Sequence, residues 1–478
     1  MHKRFFNALI YGSGAALGAV LLMGCSEQPV TSESHLGVYS STYPGLPHVK
    51  FYRSEGKNYL ITPWGHQQIQ IKPNGTFDAI EGSEDATGTL SLLEDGMYQK
   101  VVINYWGESH QLTRVEDAEG EALIELLYGS NWFTRISPFD DCDDDWLVKK
   151  EEVTFDHTKL DALLEKLNGE QDPYQKTSSL LVMKQGQLIV EEYMNGWQAE
   201  YPHSIQSISK SLTSLMVGVA IEEGLIEDEE SPLSTYLPHY TGFLQGDKSQ
   251  LTLKHFLTMS SGLDWDEWSL PYSDPNNVRY QEMFNSEPVK FVLDRELVQS
   301  PGAHFTYNGG LVTVVGEILA DRDRKANLAG YIPQSKMAEL CFKNAYMSGQ
   351  MGNVSNAAGG GFLRARDMLK LGMLVLNDGQ WQGKQIVSKD WIERSTQSYV
   401  ATNWDGSGYG YYWWINDHFV DGKTYRVVYG LGYGGQVIAV VKELDLIVVK
   451  TATNYAGQTN DFSIMKHDIL PIFIEHED

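Results

Sequence analysis

The spacing of hydrophobic positions changes along the chain, and this change predicts two structured regions. From about residue 48 to 137, short β-rich runs such as 59–62 and 68–71 alternate with turns, and Asn74-Gly75 is a strong hairpin signal. After residue 151, leucines recur at helical spacing over 157–168. The pattern predicts a small all-β domain followed by a larger domain that mixes helices and strands.

The larger region is predicted to carry strands near both ends of its sequence and helices between them. Strands are expected over 178–184, 187–193, 424–428, 436–442 and 446–451. Apolar helices are expected over 311–319 and, at the end of the chain, over 461–474. This order predicts an α+β fold, in which helices cover a sheet and a helical insertion lies in the middle of the sequence.

Composition agrees with a folded protein and excludes several classes. A chain of 478 residues exceeds the usual size of one hydrophobic core, so two domains are expected. The chain is 42% hydrophobic and 21% charged, which excludes wholesale disorder. Acidic residues outnumber basic ones by 63 to 37, which argues against a nucleic-acid partner because phosphate binding needs Lys and Arg. Three cysteines exclude a small disulfide framework.

The first 25 residues have the pattern of an export signal. Residues 2–4 are charged or basic, residues 8–24 are apolar or small, and Leu22-Met23-Gly24-Cys25 resembles a bacterial lipobox. We therefore expect residues 1–24 to be a lipoprotein signal peptide, Cys25 to be lipidated and residues 25–47 to form a flexible tether. An uncleaved anchor is the alternative. Ser26 is not the Asp of an inner-membrane retention signal, so the expected location in a Gram-negative cell is the outer membrane, facing the periplasm.

An acidic run over 140–145 separates the two predicted domains. We expect it to be a solvated linker, so that residues 48–150 comprise the β domain with this linker and residues 151–478 comprise the second domain. A calcium loop is the alternative, but the run lacks the Gly and the distal Glu of an EF-hand. Whether Cys142 and Cys341 form a disulfide cannot be decided from their spacing.

Ser207 and Lys210 form the first candidate for catalytic chemistry. They lie three residues apart at the start of an apolar helical pattern, so they share one face about one turn apart. Free N–H groups in the first turn favour developing negative charge at Ser207. A lysine desolvated in a pocket can be neutral and take the serine proton. Alone, however, Ser-x-x-Lys is a weak motif.

Two later segments contain groups that could assist a serine nucleophile. Tyr307 precedes the predicted helix over 311–319, and a neighbouring lysine can lower the pKa of a tyrosine so that it shuttles protons. Glycines cluster over 430–435, where a backbone N–H could complete an oxyanion hole with that of Ser207. His203 could serve a Ser-His-Asp triad, but no Gly-x-Ser-x-Gly elbow surrounds Ser207. The sequence has no His-Glu-x-x-His or Cys-x-x-Cys pair, so no metal or other cofactor is predicted.

Taken in order, Ser207-x-x-Lys210, Tyr307-Asn308 and the glycine-rich segment over 430–436 resemble the serine β-lactamase and penicillin-binding protein superfamily. Residues 253–263, 359–368 and 409–414 are similar to its class C-like branch, which includes esterases, DD-peptidases and 6-aminohexanoate-dimer hydrolases. The resemblance covers 151–478. It implies a β-lactamase-like antiparallel sheet flanked by helices, with a helical subdomain.

The resemblance also implies roles for individual residues. Ser207 would be the acylated nucleophile, Lys210 its activator and Tyr307 the proton shuttle, with the N–H groups of Ser207 and Gly435 as the oxyanion hole. Two departures stand out: Tyr307-Asn308-Gly309 replaces the usual Tyr-x-Asn, and Gly432-Tyr433-Gly434 lacks the usual cation of the third motif. In lactamases and peptidases that cation helps to bind the substrate carboxylate.

The missing cation argues against efficient β-lactam hydrolysis and favours a small ester or amide substrate. The expected substrate-contacting residues are Asn308, Gly434, Tyr433, Trp265 and Tyr272, and Trp268, Trp413 and Trp414 could join an aromatic pocket. A DD-peptidase or β-lactamase acting on a cell-wall-related substrate is one alternative. A non-catalytic cell-envelope binding protein is another, although intact Ser207, Lys210 and Tyr307 argue against it.

Overall fold

The computed structural model describes residues 33–41, 48–54, 56–62, 65–79, 87–105, 108–120, 122, 133–139, 142–147, 153–169, 171–320, 327–455 and 457–474. The predicted signal peptide, Cys25 and most of the predicted tether lie outside the described residues, as do all but the first residue of 122–127, a further predicted β-rich run. Within the described residues, no helix is long and apolar enough to cross a membrane.

Eight strands near the N-terminus form a closed antiparallel barrel in sequential order. They are β1 Gly37–Ser40, β2 His48–Ser54, β3 Lys57–Thr62, β4 Gly65–Ile71, β5 Thr76–Ala79, β6 Thr87–Glu94, β7 Met97–Tyr105 and β8 Glu108–Arg114. Alternate side chains point inward, and Phe51 packs edge-on against both Tyr39 and Phe77. The barrel begins earlier than expected, because β1 occupies part of the predicted tether and closes the barrel against β8.

The predicted solvated linker is wrong for the described part of the acidic run, residues 142–145, because it is bound to the second domain. The Asp144 carboxylate accepts two hydrogen bonds of 2.9 Å from the fully buried Arg364 and one of 2.8 Å from Arg366. A disulfide joins Cys142 to Cys341. Among the described residues, no cluster of His, Cys, Asp or Glu is suited to a metal ion. The pattern of charge along the chain does not indicate that arginines of the second domain lie opposite Asp144.

The second domain is built on an eight-stranded antiparallel sheet in the order β11-β10-β23-β22-β21-β20-β19-β18. These strands are β10 Thr177–Lys184, β11 Gln187–Tyr193, β18 Val400–Ala401, β19 Gly408–Tyr409, β20 Trp414–Val420, β21 Lys423–Gly432, β22 Gln436–Val441 and β23 Leu446–Ala452. The five predicted strands are all present. β21 is longer than predicted and ends in the glycine cluster, while β20 was not predicted because polar residues interrupt its apolar pattern.

Shorter strands form a second sheet and a hairpin. The second sheet contains β9 Phe133–Arg135, β12 His203–Ser204, β13 Tyr346–Gln350, β14 Val354–Ser355 and β15 Gly361–Leu363. The hairpin pairs β16 Gln380–Trp381 with β17 Lys384–Gln385. Because β9 pairs with β13, the chain joins the second domain at residue 133, well before the predicted boundary at 151.

Helices cover the main sheet and fill the middle of the sequence. They are α1 His157–Leu167, α2 Ile208–Glu222, α3 Leu233–Tyr236, α4 Leu253–Leu257, α5 Val278–Met283, α6 Pro288–Leu293, α7 Gly309–Ala320, α8 Leu328–Tyr331, α9 Ala365–Leu376, α10 Lys389–Ser395, α11 Asp461–Ile464 and α12 Leu470–Phe473. Short 3₁₀ helices span Pro238–Phe243, Gly246–Gln250, Ile332–Gln334, Lys336–Leu340 and Lys442–Leu444. A π-helical stretch over Met465–Ile469 joins α11 to α12, next to Pro471, which has no N–H to donate.

The buried helix α2 carries the candidate nucleophile at its start, and its close packing can be tested at Gly218. A Cβ at Gly218 would lie 2.3 Å from the Trp391 ring, which is fully buried and whose Nε1 donates to the Ser214 carbonyl. We expect Gly218→Ala to lower the free energy of unfolding by about 1–3 kcal/mol, measured by urea denaturation. The control is Gly242→Ala, where a Cβ meets nothing within 4 Å. Equal stability of the two variants would contradict this account of the packing.

Candidate functional site

Ser207 and Lys210 lie together at the N-terminal end of α2. Ser207 is the residue before the helix, so its N–H has no intrahelical acceptor, and Gln206 before it has a left-handed φ of 48°. The Lys210 Nζ lies 3.0 Å from the Ser207 Oγ and 2.7 Å from the Ala358 carbonyl oxygen. The predicted one-turn spacing thus brings the amine and the hydroxyl into direct contact.

Burial changes the proton affinity of Lys210. Its side chain is 4% exposed, and desolvation lowers its pKa to about 7. The Glu267 carboxylate opposes this shift, and the Arg279 charge adds to it. A lysine with this pKa is partly neutral near pH 7 and can then accept a proton.

Tyr307 completes the group, but in a different protonation state from the one predicted. Its ring stacks between Trp268 and Trp414, with centroids 5.1 and 6.0 Å away, and the Lys210 Nζ lies 4.8 Å from its ring centroid. Burial and the negative charge of Glu267 raise the pKa of Tyr307, and a hydrogen bond with Ser207 only partly opposes this rise. The predicted lowering is therefore wrong, and the phenol stays protonated near pH 7.

Glu267 is a buried carboxylate that belongs to no motif in the sequence. It accepts hydrogen bonds from Trp265 Nε1 at 2.7 Å, from the Tyr272 hydroxyl at 2.9 Å and from the Gly309 N–H at 2.7 Å. It thereby fixes the N-terminus of α7, directly after Tyr307 and Asn308. Trp265 packs in the core against Phe291 and lines a smaller pocket with Trp268 and Tyr307, but it is not among the residues that line the cavity at Ser207. Its predicted substrate contact stays a prediction.

The side-chain oxygen of Asn308 is used at the start of α7. Its side chain is 1% exposed and its Oδ1 accepts a hydrogen bond from the Leu311 N–H, which caps α7. Its Nδ2 has no hydrogen-bond partner among the described residues, and the predicted substrate contact stays a prediction. The space for a side chain at Gly309 is also filled, since a Cβ there would lie 2.7 Å from Nε of Arg279. Arg279 is buried and bonded to Glu282 and Asn356, which explains the departure from Tyr-x-Asn.

The glycine cluster forms the turn between β21 and β22, and it corrects the predicted oxyanion donor. The Gly435 N–H donates to the Gly432 carbonyl within this turn, and Gly435 does not line the cavity at Ser207. The Gly435 carbonyl accepts from the buried Lys450, which is paired with Asp461. The N–H of Gly435 is thus used inside the turn and is not free for an oxyanion.

A cavity of about 730 Å³ opens at Ser207. Its lining residues are Ser207, Trp268, Tyr272, Tyr307, Trp404, Asp405, Trp414, Leu431, Gly432, Tyr433, Gly434, Asn454, Gly457, Gln458, Thr459, Asn460, Asp461, Phe462 and Ser463. Tyr272, Tyr433 and Gly434 lie where the sequence predicted, whereas Trp413 is buried elsewhere. Trp404 and Asp405 were not predicted, because no motif includes the loop that carries them. No Lys, Arg or His is among these described lining residues.

His203 is not a partner of Ser207. Its Nε2 lies 3.2 Å from the Ser178 Oγ, its ring stacks on Trp197 and burial lowers its pKa to about 4. The Ser-His-Asp alternative therefore has no geometric support.

A sequence model described as Beta-lactamase matches residues 170–463, which is more than half of the chain. The chain belongs to the β-lactamase family. The motifs at Ser207, Tyr307 and Gly432 all fall inside the matched range, and the barrel falls outside it. The superfamily predicted from the sequence is thus confirmed.

Relatives of this β-lactamase-family protein include hydrolases. It is 24% identical to a 6-aminohexanoate-dimer hydrolase of Paenarthrobacter ureafaciens over 321 residues, covering 62% of this chain and 78% of the relative. Among solved structures, a candidate 6-aminohexanoate-dimer hydrolase of Bacillus anthracis gives a TM-score of 0.54 at 20% identity, covering 70% of this chain and 87% of that one. A D-stereospecific amidohydrolase of a Streptomyces species gives 0.51 at 13% identity, covering 65% and 98%. At these identities the structures establish the β-lactamase-like fold and nothing finer.

Proposed function

We propose that this β-lactamase-family protein is a serine hydrolase that cleaves small esters or amides through an acyl-enzyme on Ser207. The observation that carries the proposal is the contact of 3.0 Å between the Ser207 Oγ and the Lys210 Nζ, an amine whose pKa burial lowers to about 7. A hydroxyl needs such a base to act as a nucleophile near neutral pH.

The proposed reaction has two steps. Neutral Lys210 takes the Ser207 proton while the Oγ bonds to the substrate carbonyl carbon. The tetrahedral intermediate then collapses, the bond to the leaving group breaks, and the proton passes from Lys210 through the Tyr307 hydroxyl to that leaving group. Water next attacks the acyl carbon, its proton returns along the same groups to Ser207, and the carboxylic acid leaves. Tyr307 suits the relay because its phenol is protonated near pH 7. It can donate that proton to the leaving group while it accepts the proton from Lys210.

The second oxyanion donor is proposed to be the N–H of Tyr433 in place of that of Gly435. The Gly432 carbonyl points toward Gly435, whose N–H it accepts. In a trans peptide the C=O and the following N–H point in opposite directions, so the Tyr433 N–H points away from β22. Leu431, Gly432, Tyr433 and Gly434 all line the cavity with Ser207, which supports an N–H directed at the substrate.

The cavity favours a substrate without a carboxylate near the scissile bond. Its described lining holds Asp405 and Asp461 and no basic side chain, and the third motif has no cation. A substrate carboxylate would be desolvated there without a partner. This observation counts against the DD-peptidase and β-lactamase alternative. The intact Ser207, Lys210 and Tyr307 contacts count against a purely binding role.

The lipobox sequence supports a further proposal, that a lipid on Cys25 holds the enzyme at the cell envelope.

Turnover of p-nitrophenyl butyrate and of nitrocefin by the purified protein tests this function. We expect kcat/KM for the ester to exceed that for nitrocefin by about 100-fold, because a buried and unpaired carboxylate costs several kcal/mol. p-Nitrobutyranilide tests the amide class in the same assay. Turnover of nitrocefin alone would overturn the preference, and turnover that persists in Ser207→Ala would not belong to this site.

A further inference from the structure

One wall of the cavity at Ser207 consists of tryptophan rings. Trp404 lies edge-on to Trp268 and Trp414, with centroid distances of 6.0 and 5.3 Å. Trp268 and Trp404 are 52% and 51% exposed, whereas Trp414 is 4% exposed and joins the core to the cavity wall; all three side chains line the cavity. Large exposed aromatic surfaces that converge in a cavity are typical of ligand sites.

Asp405 stands at this wall on a loop whose shape is fixed by its own hydrogen bonds. The loop over 402–407 connects β18 to β19. The Thr402 and Ser407 hydroxyls are 2.6 Å apart, Ser407 Oγ donates to the Trp404 carbonyl at 2.6 Å, and the Asp405 carbonyl accepts from Asn416. The loop therefore holds Trp404 and Asp405 in place before any ligand binds.

The charge of Asp405 is not neutralised by the protein. Asp461, the other acid in the lining, is paired with Lys450 at 3.1 Å, whereas Asp405 forms no ion pair with any described residue. His418, which interacts electrostatically with Asp405, has its pKa lowered by burial to about 4 and is uncharged near pH 7. An exposed carboxylate that shares the cavity lining with three tryptophans gives this aromatic wall a local negative potential.

We propose that Asp405, Trp268, Trp404 and Trp414 form a subsite for an ammonium group on the leaving-group side of the substrate. The proposal rests on the function assigned above to Ser207 and specifies its substrate class. A cation is attracted both to indole faces and to a carboxylate, and a quaternary ammonium gains most from aromatic faces. Trp268 and Trp414 also stack on Tyr307, the proposed proton donor to the leaving group, so the subsite lies on that side of the scissile bond.

Two isosteric esters test the subsite directly. In butyrylcholine the leaving alcohol carries a quaternary nitrogen, and in 3,3-dimethylbutyl butyrate a carbon atom takes its place. We expect the purified protein to hydrolyse butyrylcholine with a kcat/KM about tenfold above that of the neutral ester, followed by acid release in a pH-stat. In Asp405→Asn this ratio should fall to about one. Asp417→Asn is the matched control, since it removes one carboxylate that pairs with Arg426 outside the cavity lining and should keep the ratio.

Each outcome separates the subsite from the hydrolase. Equal turnover of both esters, or a kcat/KM ratio that Asp405→Asn does not change, overturns the subsite. The proposed hydrolase activity is unaffected by either result. If neither ester is hydrolysed, the proposed hydrolysis of such esters by Ser207 is overturned. The subsite is then tested by the binding of tetramethylammonium to Ser207→Ala, followed by tryptophan fluorescence. Binding that weakens at least about fivefold on adding Asp405→Asn supports it. No binding, or binding indifferent to Asp405, overturns it.

Discussion

Replacing Ser207 with alanine is expected to lower kcat/KM for p-nitrophenyl butyrate by about 10,000-fold or more, because no other group can form the acyl-enzyme. A fluorophosphonate should add once to the unaltered protein and not to Ser207→Ala, as measured by intact mass. The exchange removes one hydroxyl that touches Lys210, and Lys210 keeps its hydrogen bond to the Ala358 carbonyl. The loss should therefore reflect chemistry and not unfolding.

The matched control for this prediction is Ser211→Ala. Ser211 lies one turn further along α2, is buried, and donates to the Tyr412 carbonyl instead of facing the cavity. Its loss should cost about 1 kcal/mol of stability and leave labelling intact. An adduct that persists in Ser207→Ala would place the nucleophile elsewhere.

Replacing Lys210 with alanine is expected to lower kcat/KM by about 1,000-fold, because it removes the proposed base for Ser207. Lys210→Arg should not rescue activity, because a guanidinium keeps its proton and cannot accept another. In the unaltered protein, kcat/KM should fall tenfold per pH unit below about pH 7, because the Lys210 pKa is lowered to about 7 and the protonated amine is no base. Rate measurements from pH 5 to 9 give this profile.

The same residue links stability to pH. In the unfolded chain a lysine holds its proton up to about pH 10.4, whereas folded Lys210 releases it near pH 7. Between these values the unfolded state binds more protons, so the Lys210 contribution to stability rises with pH over that window.

The control for the pH profile of kcat/KM is Lys370→Met. Lys370 is another buried lysine, which pairs with Asp367 outside the cavity lining, and its replacement should leave the acid limb of the rate profile unchanged. An acid limb that survives in Lys210→Ala would assign the titration to another group.

The part of the site that the sequence predicted is the part that local spacing determines. Ser207 and Lys210 meet because residues three apart on a helix share a face, and Tyr307 was found by its place before α7. Glu267 and Asp405 were missed because their positions depend on loops brought together only by the tertiary fold. The same limit applies to Arg364, since an acidic run alone does not reveal buried arginines opposite it.

Two residues in the motifs have main-chain roles that the sequence pattern does not show. Asn308 follows Tyr307, but the start of a helix needs a cap, and its amide serves that need. Gly435 belongs to the correct turn, but its N–H is used to close that turn. Main-chain hydrogen bonds therefore decided both roles, and a one-letter pattern does not record them.

The contacts of the acidic segment limit where the chain can be truncated or cleaved without disturbing the second domain. Asp144 holds Arg364, which follows β15 directly, and the chain just before β15 supplies the Ala358 carbonyl that binds Lys210. A chain trimmed to begin at residue 151 would lose β9, Asp144 and the disulfide, and would leave a buried arginine with fewer partners. A fragment that keeps these contacts therefore starts at or before residue 133, and cleavage within 142–147 would weaken the support of Lys210 without touching the cavity.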